Sequence, residues 1–108
     1  MSYIYDVKGW LDVAGSSAAQ IRSIVEQTSF PRYWCWPEGH DPDVIFFGYQ
    51  MGKDWIRTFE DELSLFLSLE EVFGIFFIEG EAKNDNVVIE ILDSTIQRSN
   101  RNPIRLYD

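Results

Sequence analysis

Tyr3-Ile4-Tyr5-Asp6-Val7-Lys8-Gly9-Trp10-Leu11-Asp12-Val13 is the stretch on which the fold class turns. Tyr3, Tyr5, Val7, Leu11 and Val13 fall on one face, with Gly9 in step. Asp6, Lys8, Trp10 and Asp12 fall on the other. A period of two over this length is the signature of a half-buried β-strand. Trp10 is the exception among the polar residues of its face, and it becomes a candidate contact residue for that reason.

Downstream, the period changes. Gly15-Ser16-Ser17 stops the strand, and Ser17 followed by Gln20 has the spacing of a capping box. Ala18, Ile21, Ile24 and Val25 then mark one stripe of a helix running to about Gln27. Phe30-Pro31-Arg32 leads into the β-prone Tyr33-Trp34-Cys35-Trp36, and Pro37-Glu38-Gly39-His40-Asp41-Pro42 is turn chemistry. A hairpin with strands near 32–36 and 43–50 is the simplest geometry. A second helix opens at Gly52-Lys53-Asp54, with Asp54 expected as N-cap. Trp55, Phe59, Leu63, Phe66 and Leu67 recur there at helical spacing. Residues 72–79 are apolar on both faces, which places that strand centrally with helices over one side. Residues 80–86 form a polar turn, 87–92 another strand, and 104–107 a short late edge strand.

The expected class is therefore α+β. The order βαββαβ plus a C-terminal strand matches a ferredoxin-like two-layer sandwich, with the helices on one face of an antiparallel sheet. No Pro/Gly/Ser linker or internal repeat divides the 108 residues. They read as one domain over 1–97 and a basic tail over 98–108.

Charge is the compositional departure. Eighteen acidic residues face nine basic ones, a net charge of -9. Residues 1–97 hold 17 of the acids and 6 of the bases, so the tail, with three Arg and one Asp, is cationic. It either lies back on the acidic surface or stays apart from it. A chain with this balance is a poor ligand for nucleic acid or an anionic membrane, and a good one for a cationic partner. Six carboxylates (Asp54, Glu60, Asp61, Glu62, Glu70, Glu71) stand between 54 and 71 against one base, Arg57. A solvated helix face explains them; so does an anionic patch that steers a cationic partner.

The turn and the segment before it also hold side chains capable of chemistry. Cys35, His40 and Asp41 or Asp43 have the side chains of a nucleophile, base and orienting acid, but five residues across a turn do not place them together. Glu38, His40, Asp41 and Asp43 offer metal donors without the spacing of a zinc or calcium site, and a solvated turn accounts for them better. No catalytic residue, metal or cofactor is expected. Phe30, Tyr33, Trp34 and Trp36 put four aromatics in seven residues. Core, protein interface and small-molecule pocket are the three readings of that cluster.

The opening strand, the Trp/Pro/Gly-rich turn at 34–39, the acidic second helix and Phe73-Gly74-Ile75-Phe76-Phe77 together resemble small acidic immunity proteins. Such proteins accompany secreted bacterial toxins, including those of contact-dependent growth inhibition. The resemblance implies a non-enzymatic cytoplasmic inhibitor that binds one cognate toxin, a cationic nuclease being the typical case, and blocks its active site. It transfers no individual residue. Physically, contact is expected at Glu60, Asp61, Glu62, Glu70 and Glu71, with Trp10, Trp34 and Trp36 as aromatic anchors. The second reading is a small-molecule or peptide-binding module, homodimeric through its sheet face. The single cysteine and the lack of an apolar run near Met1 fit a cytoplasmic protein.

Overall fold

A computed structural model describes residues 3–82 and 84–100. The elements in chain order are β1 (Ile4–Asp12), α1 (Ala18–Val25), β2 (Trp34–Cys35), β3 (Val44–Gly52), α2 (Lys53–Glu62), β4 (Phe73–Gly80), β5 (Asn86–Leu92) and β6 (Thr95–Ser99). Two 3₁₀ segments interrupt them, Pro31–Tyr33 before β2 and Leu63–Ser68 after α2. All six strands form one antiparallel sheet in the order β2-β3-β1-β4-β5-β6.

The α+β class holds, but the sheet is not a classic ferredoxin-like one. β1 does lie between β3 and β4. Beyond β4, however, the sheet continues as a meander through β5 and β6. The other end is reduced, because β2 pairs only Trp34 with Phe47 and Cys35 with Phe46. The five-residue strand expected at 32–36 is shortened by the 3₁₀ turn that Pro31 opens. The late strand expected at 104–107 lies outside the described residues.

β6 instead follows β5 through a two-residue hairpin. Asp93 and Ser94 sit at φ 48° and 62°, between the paired Leu92 and Thr95. Positive φ at both central residues is the type I′ turn, whose twist matches that of the strands it joins.

The helices are capped as their sequences dictate in one case and not in the other. At α1, Gln20 N–H donates to Ser17 Oγ (3.2 Å) and Ser17 N–H to Gln20 Oε1 (2.8 Å), completing the capping box. Asp41 adds to this end by accepting from Ala18 N–H at 2.8 Å. At α2 the N-cap is Gly52, not Asp54. Asp54 lies in the first turn, where a carboxylate meets the positive end of the helix dipole. Lys53 N–H is meanwhile taken by Tyr3 C=O (3.1 Å), and the helix starts two residues earlier than expected, directly from β3.

Both helices serve one core. Val7 and Leu11 of β1, Ile45, Phe47 and Met51 of β3, Phe76 and Ile78 of β4, and Val87, Ile89 and Ile91 of β5 all share one side-chain parity. They pack in a single cluster with Ile21, Ile24 and Val25 of α1, Phe59 of α2 and Leu63 and Phe66 of the second 3₁₀ segment. The α-helix stops at Glu62, so the stripe expected to run on to Leu67 is delivered partly by that 3₁₀ segment. Trp55, expected in the stripe, is half exposed.

Two glycines set the spacing at the centre. A Cβ on Gly9 would collide with the Ile75 carbonyl and the Phe76 ring, and one on Gly74 with the Trp10 carbonyl and Leu11. Gly48 has open space at the same position. Gly9→Ala is therefore expected to cost about 1–3 kcal/mol or more by overpacking. Gly48→Ala should stay within about 1 kcal/mol of wild type, since nothing there resists a methyl group. Urea unfolding of the two variants checks the contrast, and equal midpoints would contradict this packing.

Candidate functional site

Among the described residues no helix covers the opposite parity of the sheet. Its side chains form rows across the strands, because cross-strand partners in a sheet point the same way. The central row reads Cys35, Phe46, Trp10, Ile75, Glu90, Gln97 from β2 to β6. One neighbouring row holds Gly48, Lys8, Phe77, Val88 and Ser99, and the other Val44, Asp12 and Phe73. Trp10 is 36% exposed, Phe46 48% and Phe73 44%. Large aromatics open to solvent on adjacent strands thus form the apolar part of this face.

Charge frames the patch. Asp6 and Glu79 lie in the row beyond Lys8, Asp12 beside Phe73, and Glu90 beyond Ile75. Lys8 is the one base on these rows, and its Nζ lies 3.1 Å from Glu79 Oε1. That hydrogen bond, before the wider field of Glu79, holds the lysine above its ordinary pKa. Asp12 is fixed at the rim by accepting from Ala14 N–H at 3.0 Å. The face thus has an aromatic centre and a mostly acidic border.

The three tryptophans expected as anchors are scattered. Trp10 is on the helix-free face. Trp34 is in the core, 6% exposed, with ring centroids 4.8 Å from Phe66 and 4.9 Å from Phe47. It cannot reach a partner, because its pairing with Phe47 turns it inward. Trp36 is half-buried beside α1, with the Arg22 guanidinium 5.7 Å from its ring centroid. It lines an open groove of about 400 Å³ with Arg22, Arg32, Cys35 and Glu38.

The five carboxylates expected at the contact are divided in the same way. Glu60 is tied to Arg98 of β6, Nε to Oε1 2.7 Å. Glu62 accepts from both the N–H and the hydroxyl of Ser29 at 3.0 Å, pinning the end of α2 to the loop after α1. Asp61, Glu70 and Glu71 are exposed. Glu60, Asp61 and Glu62 belong to α2, on the other side of the sheet from Trp10, whereas Glu70 and Glu71 stand in the loop that leads into β4. The acidic helix and the exposed tryptophan therefore do not form one surface.

Residues weighed for chemistry sit apart by role. Cys35 is exposed in the outer row. His40 Nδ1 lies 3.0 Å from the Asp41 carbonyl oxygen, while the Asp41 carboxylate serves α1. Among the described residues no group of three or more His, Cys, Asp and Glu is placed to hold a metal ion. No described helix is long and apolar enough to cross a membrane.

Phe46 and Phe73 were missed as surface residues. The signal that finds them is parity: each falls in step with Trp10 once the strand register is known. Two rings of the aromatic-rich segment, Phe30 and Tyr33, join Tyr49 and Trp55 in a second group. Trp55, Phe30, Tyr49 and Tyr33 form a chain of rings with centroid separations of 5.4, 5.1 and 3.9 Å.

At the far end of β1, Tyr5 donates its hydroxyl to Asp85 Oδ2 at 2.8 Å. Burial first, and this bond second, push its pKa up to about 12. The folded state thus favours the neutral phenol. Its contribution to stability is complete below pH 10 and is lost as pH rises through about 12. Unfolding measured from pH 9 upward should show wild type losing its advantage over Tyr5→Phe across that window.

No family model matches the chain, and neither a curated protein nor a solved structure matches it.

Trp34→Ala is expected to destabilise the protein by about 3–5 kcal/mol, as loss of a buried indole does. Trp10→Ala should change stability by less than about 1 kcal/mol. Thermal or urea unfolding separates them; a Trp10 variant as unstable as the Trp34 variant would count against an exposed binding role.

Proposed function

We propose that this protein is a non-enzymatic binding protein, an inhibitor of the immunity type that neutralises a cationic toxin protein by direct contact. The observation that carries the proposal is the helix-free sheet face, with Trp10, Phe46 and Phe73 at its apolar centre and Asp6, Asp12, Glu79 and Glu90 around them. Aromatic side chains that exclude water are the usual energetic centre of an interface, and charges at the rim govern encounter rate and partner choice. The six strands, two to nine residues long at about 3.3 Å per residue and about 4.8 Å apart, offer on the order of 600 Å², somewhat below the roughly 800 Å² per partner of a standard interface.

The contact surface is thereby relocated. Trp10 stays in it. Asp61, on α2, and Glu70 and Glu71, in the loop before β4, act through the long-range field rather than at the centre of contact. The net charge of -9 draws a cationic partner from a distance, an effect that weakens as salt rises. The same charge disfavours the homodimeric reading, since two copies stacked through this face would set four carboxylates against four with one lysine each.

Titration of the protein against the toxin encoded beside its gene tests the proposal. Trp10→Ala and Phe46→Ala should each weaken binding by about tenfold to a hundredfold, mainly through faster dissociation. Reversing Asp6 and Glu79 to Lys should slow association and flatten its salt dependence. Binding that is indifferent to all four changes would rule the face out. Binding abolished by Asp61→Lys alone would return the contact to the helix side.

A further inference from the structure

The cationic stretch after β6 plays no part in the outer-face contact. Residues 101–108, Arg101-Asn102-Pro103-Ile104-Arg105-Leu106-Tyr107-Asp108, lie outside the described residues. The point at which the chain passes to them is fixed by register. Ser99 pairs with Val88, so only Val87 and Asn86 of β5 remain ahead of β6. The same register carried two residues on sets position 101 opposite Asn86. Beyond that point β5 offers no partner, and Pro103 has no N–H to give to a ladder. The edge of the sheet thus has no place for 102–108.

The helix-free face beside this exit is acidic first and aromatic next. Asn86 pairs with Glu79 and Glu79 with Asp6, in one row. Asp6 enters no ion pair among the described residues. Two rows further along, Ile75, Trp10 and Phe46 lie side by side, with Trp10 and Phe46 open to solvent. From Ser99 to Trp10 is three strand spacings of about 4.8 Å and one two-residue step, roughly 16 Å. Phe46, one strand further, is roughly 20 Å away. Extended chain covers about 3.3 Å per residue, so Ile104 can reach the first and Leu106 the second. The helix side of the same exit is a poorer match for cations. There Lys53, Arg57 and Arg98 outnumber Glu60 and Asp61 around one groove.

We propose that residues 101–108 fold back over the helix-free face as its built-in occupant. Arg101 and Arg105 meet Glu79 and Asp6, while Ile104, Leu106 and Tyr107 cover Ile75, Trp10 and Phe46. The match is double: cations against the acidic border, and apolar side chains against the aromatic centre. Because the segment is joined to β6, its effective concentration at the face is on the order of millimolar. A contact too weak to hold a free peptide therefore suffices. A partner at this face competes with the segment, and its apparent affinity falls by the fraction of molecules in which the face is free. The docking itself needs no partner, so it stands apart from the toxin reading.

The test uses the whole chain, with a nitroxide attached through Asp108→Cys. Cys35 is exposed, and Cys35→Ser leaves the new thiol as the sole point of attachment. In the NMR spectrum the Trp10 indole N–H should lose most of its intensity relative to the reduced label. The Trp55 indole, on α2 across the sheet, should keep its own. Arg101→Glu together with Arg105→Glu should restore the Trp10 signal, and raised salt should restore it in part. In a mixture of nitroxide-bearing protein with isotope-enriched, unlabelled protein, the enriched Trp10 should be unaffected. An undiminished Trp10 signal in the labelled chain overturns the proposal, as does a loss that the double charge reversal leaves in place. A loss at Trp55 instead would put the segment on the helix side and overturn it too. A loss at Trp10 in the mixture would identify a second copy as the occupant, with the same consequence. No toxin enters the experiment, so its failure is distinct from failure of the toxin reading.

Discussion

Gly9 and Gly74 let β1 and β4 come together with the Phe76 ring lying across the first and Leu11 against the second. At neither position is there room for a methyl group. The contact therefore fixes the register of the two central strands, since sliding either one by a residue would drive a side chain into its neighbour's backbone. A slip of one residue would also exchange the two faces of the sheet. Everything outward from β1 and β4 inherits that choice. β3 takes its parity from β1, and β5 and β6 take theirs from β4.

Once parity is set, the covering is one-sided. α1, α2 and the 3₁₀ segment at Leu63–Ser68 are all spent on one face. Antiparallel sheets tolerate this when the open face is polar. Here it is not, since Phe46, Trp10 and Ile75 follow one another across three strands. Val88 shows the limit of what the sheet can hide by itself. It is 2% exposed although it lies outside the core cluster. Trp10, Phe46 and Phe73 are too large and too peripheral for the same shelter. The cost of leaving them in water is a cost that function, rather than folding, has to explain.

Much of this was legible in the sequence and some was not, for local reasons. The alternation of 3–13 identified β1 and singled out Trp10, because a period of two needs no tertiary knowledge. The capping box at Ser17 and Gln20 was equally plain. Trp34 was misread because a strand of two residues has no period, and only its partner Phe47 reveals which way it faces. β6 was missed because Asp93-Ser94 is not one of the glycine-containing pairs that announce a type I′ turn, although both residues adopt it. Asp41 looked like a candidate for chemistry, and its role as a cap for α1 depends on a contact across 23 positions. The site was half legible: the existence of an exposed aromatic could be read, but its neighbours could not.

The acidic balance separates into three kinds of carboxylate once each has a place. Asp41 and Glu62 bond backbone and hydroxyl groups, and Glu60 joins α2 to β6 through Arg98. They hold elements together and are not free to meet a partner without loosening the fold. Asp61, Glu70 and Glu71 are solvated and contribute mainly to the long-range field. Asp6, Asp12, Glu79 and Glu90 border the aromatic row. A cluster counted along the chain, six acids in eighteen residues, thus mixes the first two kinds, whereas the third is dispersed over four strands and assembled only by their register. For an antiparallel sheet this is general: a surface is built from residues far apart in sequence. Charge runs consequently locate helix faces well and sheet faces poorly.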